Sequence, residues 1–261
     1  MKKYLSILVL FACVGCQSEY QKLIKSNDYD AVYEGAVKYF EAKDYYKSYE
    51  LLEKALPAFR LTEKGENIVM MLAKSYYEEG DNLMAAYYFE RFALSYPTSQ
   101  QVEYAYYYSA LCYYNISPVA TLDQTYTDKA IQAFQLYINK FPQGSYVKES
   151  NEHIGKLREK LEEKAFKNSK IFYNLEDYKA AVTALKNCLK QYPDSKYREE
   201  LLYLTLRSSF LLAENSVESK KEERYEMATD DYHAYIDEYP NGQWAKDAEN
   251  IFLKIQKRTT N

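Results

Sequence analysis

Four stretches of the chain close in the same way: Arg91-FALSYPTS, Tyr137-INKFPQGS, Cys188-LKQYPDSK and Tyr235-IDEYPNGQ. Each runs from a helix tail through an aromatic residue to a proline, then a Gly or Ser. The prolines fall at 97, 142, 193 and 240, so the spacings are 45, 51 and 47 residues. Proline ends a helix because it lacks an N–H and its ring clashes with the preceding turn. The Ser or Gly that follows supplies a cap or a turn. Recurrence at this length is the mark of a helical repeat array, in which one unit cannot bury its own apolar face and must stack on the next.

Each period holds two helical patterns. The clearest pair runs from Val69 to Pro97. Leu72, Ala73 and Tyr76 mark the first helix, Gly80-Asp81 breaks it, and Ala85, Phe89 and Phe92 mark the second. Small residues at 73 and 85 let two helices approach, and aromatics at 76 and 89 fill the space around them. Val32, Ala36, Tyr39, Tyr45, Ser48, Leu52 and Ala55 repeat the pattern, as do Ala165, Ser169, Phe172, Tyr178, Ala181, Leu185 and Cys188. Longer connections at 115–127 and near 214–222 account for the stretched spacings. Trp244, Ala248, Ile251, Phe252 and Ile255 make a last amphipathic helix. The reading is all-α: a tetratricopeptide-repeat solenoid of about five helix pairs over residues 29–258, elongated and undivided by any linker, with a C-terminal capping helix.

The first sixteen residues read differently. Lys2 and Lys3 precede an apolar run from Leu5 to Val14, and Gly15-Cys16 follows. This is the order of a secretory signal, too short to span a bilayer as an anchor. Gly15-Cys16 resembles a bacterial lipobox, so residues 1–15 are expected to be a lipoprotein signal peptide. Cys16 is then the acylated start of a tethered segment, 16–28. The position three before it is Cys13 where an aliphatic is usual, and Leu10-Phe11-Ala12-Cys13 is a competing frame. Cys16 is preferred because polar sequence begins directly after it. Acyl chains would tether the protein to a membrane surface without spanning it. Cys112 and Cys188 read as small buried hydrophobes, with a disulfide between them the lesser alternative.

Composition removes several functions. Lys and Arg number 34 against 38 Asp and Glu, a net charge of −4, so no nucleic-acid partner is expected. Seven glycines form no phosphate-cradling loop, and His153 and His233 stand far apart without a metal-ligand spacing. No Ser or Cys occupies a nucleophile elbow. Carboxylate pairs such as Glu78-Glu79 sit among Lys and Arg on helix surfaces. The expectation is a non-enzyme with no catalytic residue, metal or cofactor.

Tyrosine is the anomaly, at 31 of 261 residues. Tyr is large, rigid and amphipathic, and is enriched at recognition surfaces. In this repeat class the first helix of each pair lines a groove. That register puts Tyr33, Val37 and Phe40 on the groove in the first repeat, Met70, Lys74 and Tyr77 in the second, and Tyr104, Tyr107, Leu111 and Tyr114 in the third. Packing against the neighbouring helix pair is the competing role for each. A groove of this kind suits a segment of another polypeptide.

Residues 102–114 (VEYAYYYSALCYY) resemble the third-repeat signature of the BamD lipoproteins. Gly80-Asp81 through Phe92 to Tyr96-Pro97 is similar to their second repeat, and Asp128 through Phe134 to Tyr146 to the end of their third. Phe172-Tyr173, Tyr178 to Val182 and Tyr192-Pro193 are similar to the fourth, and Cys16 to Lys22 to the short acylated start of Bacteroidetes members. The resemblance covers residues 16–258 in order. It implies a non-catalytic subunit of the outer-membrane β-barrel assembly machine, lipid-anchored on the periplasmic face. It implies a C-terminal half docked on periplasmic POTRA domains of the Omp85-type barrel protein BamA, and N-terminal repeats that receive unfolded outer-membrane proteins. The 115–127 insertion and the tyrosine excess depart from the family. The alternatives are another periplasmic repeat lipoprotein, an adaptor for peptidoglycan enzymes or proteases, and a SusD-like glycan binder, from which this chain differs by lacking large insertions.

Overall fold

A computed structural model describes residues 18–60 and 62–259. Among these residues there are twelve α-helices, one 3-10 turn and no strand. In order they are α1 (Glu19–Lys25), α2 (Tyr29–Glu41), α3 (Tyr45–Ala55), α4 (Glu63–Glu78), α5 (Asn82–Ser95), α6 (Val102–Ile116), α7 (Thr125–Lys140), α8 (Val147–Asn174), α9 (Tyr178–Gln191), α10 (Arg198–Glu214), α11 (Glu218–Glu238) and α12 (Ala245–Thr259), with the 3-10 turn at Leu56–Ala58. The all-helical, tetratricopeptide-repeat-like class expected from the proline spacing is the class observed.

Within the helix pairs the chain reverses through one device. Lys43, Gly80 and Glu176 have φ of 59°, 81° and 60°. At each, the next N–H reaches back to a carbonyl five residues earlier: Asp44 to Tyr39, Asp81 to Tyr76 and Asp177 to Phe172. This closes the helix with a left-handed residue. The same aspartate then caps the following helix, its side chain accepting from the N–H of Lys47, Met84 or Ala180. Between pairs the aromatic-proline ending takes over. Tyr96, Tyr192 and Tyr239 sit near φ −130° with ψ of 59° to 74°. Proline excludes its predecessor from helical geometry, so the helix stops there.

The helices gather into two compact units. The first comprises residues up to 118 with 125–155, and its core joins Val32, Leu51, Leu52, Ile68, Leu72, Phe89 and Phe92. Close approach depends on the small residues: Ala36, Ala73 and Ala85 are fully buried, and Ser48 Oγ donates to the Ala36 carbonyl at 3.0 Å. Burying a side chain the size of Phe89 or Phe92 contributes about 2–3 kcal/mol. The second unit comprises 119–124 with 156 onward. Its centre is α10, where every residue from Leu201 to Leu206 is buried because α9, α11 and α12 all pack on it. A helix apolar all round is stable only when enclosed in this way. The expected final helix is α12, with Ala248, Ile251 and Ile255 buried.

The first helix of the fourth repeat starts well upstream of Ala165: α8 runs for 28 residues. Its tract 156–170 carries exposed Lys156, Arg158, Glu159 and Lys167, a mixed-charge surface. Cys112 and Cys188 are free and buried, one in each unit. Burial pushes the Cys112 thiol up to about 12 and raises Cys188 as well. The disulfide alternative is not taken up.

Candidate functional site

All ten groove residues named from sequence lie in the first unit, on the first helices of successive pairs. Cys16 lies outside the described residues. Tyr33, Val37 and Phe40 occupy α2, each half-buried. Tyr33 packs its ring 6.0 Å from Phe59, with Lys64 Nζ 5.6 Å above it, and Phe40 meets Tyr45 at 5.6 Å. On α4, Met70 is a core residue, whereas Lys74 and Tyr77 are half-buried. On α6, Tyr107 is buried, and Tyr104, Leu111 and Tyr114 are half-buried. Met70 and Tyr107 therefore belong to the packed interior, and the other eight keep part of their surface exposed.

The face is a run of rings. Tyr77 meets Tyr108 at 5.3 Å, Tyr108 stacks on Tyr104 at 4.0 Å, and Tyr146 stacks on Tyr107 at 4.1 Å. Tyr114 and Phe134 flank His153 at 4.2 and 5.1 Å. Burial holds Tyr77 and Tyr104 above the ordinary phenol range and pushes Tyr107 up to about 12, so all remain protonated donors at neutral pH. Each ring pair adds about 0.5–1.5 kcal/mol beyond its buried area and stiffens the helix stack.

A desolvated cation enters this aromatic surface. Lys74 Nζ stands 4.9 Å over the Tyr104 ring and donates to Gln101 Oε1 at 3.4 Å. Among the described ion pairs none involves Lys74. Burial depresses its pKa, since the charged form has lost water without gaining a carboxylate. Chemically the face offers stacking planes, phenolic donors and one desolvated ammonium. Among the described residues no cluster of three His, Cys, Asp or Glu could hold a metal ion.

Sequence reasoning missed a second role for tyrosine. Phenols in both units reach carboxylates on neighbouring helices. Tyr76 and Tyr88 both donate to Glu53 Oε1, at 2.7 and 2.9 Å, and Tyr113 donates to Glu90 at 2.9 Å. Tyr20 donates to Glu50, Tyr225 to Glu214 and Tyr203 to Asp247. A ring in the core with its hydroxyl at the rim needs an acceptor there, and a glutamate one helix away supplies it. Much of the tyrosine excess is thus structural. The readable signal was the pairing of Tyr five residues before a proline with Gly two after it, at 137/144 and 235/242.

The family model described as an outer membrane lipoprotein, YfiO, matches residues 25–208 and again 169–260. The chain belongs to the YfiO family of outer membrane lipoproteins. The outer membrane protein assembly factor BamD of Rickettsia prowazekii is 25% identical over 268 residues, covering 98% of this chain and 99% of that protein. The BamD of Neisseria gonorrhoeae is 25% identical over 166 residues, 60% of this chain and 61% of that protein. That of Neisseria meningitidis serogroup B is 24% identical over the same length. The resemblance drawn from the ordered repeats is therefore a family membership, and the place of a YfiO lipoprotein is the outer membrane. Among the described residues no helix is long and apolar enough to cross a bilayer.

Proposed function

We propose that this YfiO-family lipoprotein is an outer-membrane protein assembly factor of the BamD kind, anchored through acylated Cys16 on the periplasmic side. The observation that carries the reading is the end-to-end match to the Rickettsia assembly factor, spanning nearly all of both chains. In this role the chain has no chemistry of its own. It binds a BamA-like barrel protein through that protein's periplasmic POTRA domains, using its C-terminal half, and receives unfolded outer-membrane proteins on the face built by α2, α4 and α6.

The composition of that face supports an extended, aromatic-ended segment as ligand. Tyr77, Tyr104 and Tyr114 offer stacking planes, and Lys74 is a cation without a carboxylate. A chain terminus brings the missing carboxylate beside its last side chain. Ammonium and carboxylate then form a charge-assisted pair in a partly dry setting, where it is worth more than at an open surface.

Two measurements test this. Depletion of the protein should lower the level of many outer-membrane barrels, and affinity purification should recover an Omp85-type barrel protein. Unchanged barrel levels would rule the role out. Fluorescence anisotropy with a peptide ending in a free aromatic residue tests the face. Lys74→Gln should weaken binding about tenfold, the scale of one charge-assisted hydrogen bond. Equal affinity for the C-terminal amide would exclude the terminal carboxylate.

A further inference from the structure

The segment that follows Cys16 does not trail freely; from Ser18 onward it is folded back and bolted to the first repeat. Ser18 caps α1, its Oγ accepting from the Gln21 N–H at 3.3 Å. A helix of seven residues is marginal alone, so α1 must draw its stability from what it touches. It packs on α2 and α3. Tyr20 meets Tyr39 edge to face at 5.9 Å and donates to Glu50. Glu19 pairs with Lys38 at 3.1 Å. Lys54 Nζ donates to the carbonyls of Leu23, at 3.3 Å, and Ile24, closing the helix end. Leu23 fills the space over Gly35 so closely that a Cβ there would collide with its Cδ1.

Only Gln17 separates Cys16 from Ser18, the cap of this docked helix. Two residues of extended chain reach at most about 7 Å, and α1 itself is about 10 Å long. We propose that α1 is a clamp that holds the first repeat close to the headgroup layer, so that the lipid surface is itself a partner of α1. The exposed side chains of α1 are Glu19, Gln21, Lys22 and Lys25; Glu19 is taken up by Lys38, so the other three are left to meet phospholipid headgroups, and the two lysines match headgroup phosphate in charge. The inference rests on Cys16 being the acylated residue.

The test uses the full-length acylated protein on phospholipid vesicles that carry a headgroup-attached quencher. Cys112 and Cys188 are buried, which leaves engineered thiols free for labelling. A fluorophore at Gln21→Cys should be quenched more than one at Leu94→Cys, on exposed α5 surface. Inserting about twelve Gly/Ser residues between Gln17 and Ser18, which adds a reach of about 19 Å, should erase that difference while the protein still floats with the vesicles. Equal quenching at both sites, or quenching that survives the insertion, would overturn the clamp. The lipid reading fails separately: a Cys16→Ser variant that floats as well as the parent would show that the anchor lies elsewhere.

Discussion

Tyr137 donates its phenolic hydrogen to Glu103 Oε1 at 2.9 Å and accepts the Tyr146 N–H on the same oxygen, also at 2.9 Å. The Ser145 N–H closes on Glu103 as well, at 2.6 Å. One glutamate in the first turn of α6 thus holds both the end of α7 and the turn beyond Pro142. The second unit repeats the arrangement: Tyr235 donates to Glu199 at 3.0 Å and accepts from the Trp244 N–H at 3.2 Å, while the Gln243 N–H reaches Glu199 at 2.6 Å. Only glycine fits beneath the knot. A Cβ at Gly144 would collide with Tyr137 Oη, and one at Gly242 with Glu199 Oε1.

Gly144→Ala should therefore destabilise the first unit by about 2 kcal/mol, the scale of forced overpacking. Tyr137→Phe should cost about 1 kcal/mol, because it leaves the Tyr146 N–H without its acceptor and removes one of the two hydrogen bonds to Glu103 Oε1. Urea unfolding measures both. A Gly144→Ala midpoint equal to that of the parent would mean the knot yields without strain.

Alkaline pH should loosen both knots. Burial, aided by the glutamate acceptor, pushes Tyr137 and Tyr235 up to about 12 in the folded chain, against about 10 for a free phenol. The unfolded chain gives up these protons first. The stabilisation is thus complete below about pH 10 and is lost as pH rises toward 12. Melting temperature measured across that window should fall, and the fall should be shallower in Tyr137→Phe.

Glu176 occupies the left-handed position that Gly80 fills in the equivalent turn. A side chain with a Cβ is strained there and glycine is not. Glu176→Gly should stabilise the second unit by up to about 1 kcal/mol, read as a higher urea midpoint. A drop in stability would show that backbone entropy outweighs the strain.

Asp231 is buried on α11 and bridges two helices. It accepts from Ser209 Oγ at 2.6 Å and pairs with Lys186 at 2.7 Å. Lys186 is over a third exposed, which discounts the pair. Asp231→Ala should still cost about 2 kcal/mol, since it leaves Ser209 without its acceptor and empties a buried site. A double-mutant cycle with Lys186→Met would isolate the ionic part.

The helices were legible because their punctuation is local. Gly80-Asp81 and the four aromatic-proline endings act through φ, ψ and one or two hydrogen bonds, and each stands where a helix stops. The continuity of α8 was not legible, since a long polar helix carries no punctuation to read. At the candidate site, the 3.6-residue period located the right helices but could not rank residues within them. Met70 and Lys74 stand one turn apart on α4, and only the seating of neighbouring helices makes Met70 core and leaves Lys74 half-buried. The tyrosine acceptors escaped notice because Glu53, Glu103 and Glu199 look like ordinary surface charge until the partner helix, 23 to 36 residues away, is in place.

The two sealed thiols set a race during maturation. A chain exported to an oxidising compartment arrives with Cys112 and Cys188 naked, and no partner within either unit turns them into a stabilising bond. Folding alone withdraws them from oxidants. Burial of each sulfur in the folded chain, rather than a bond, is what keeps it from oxidants.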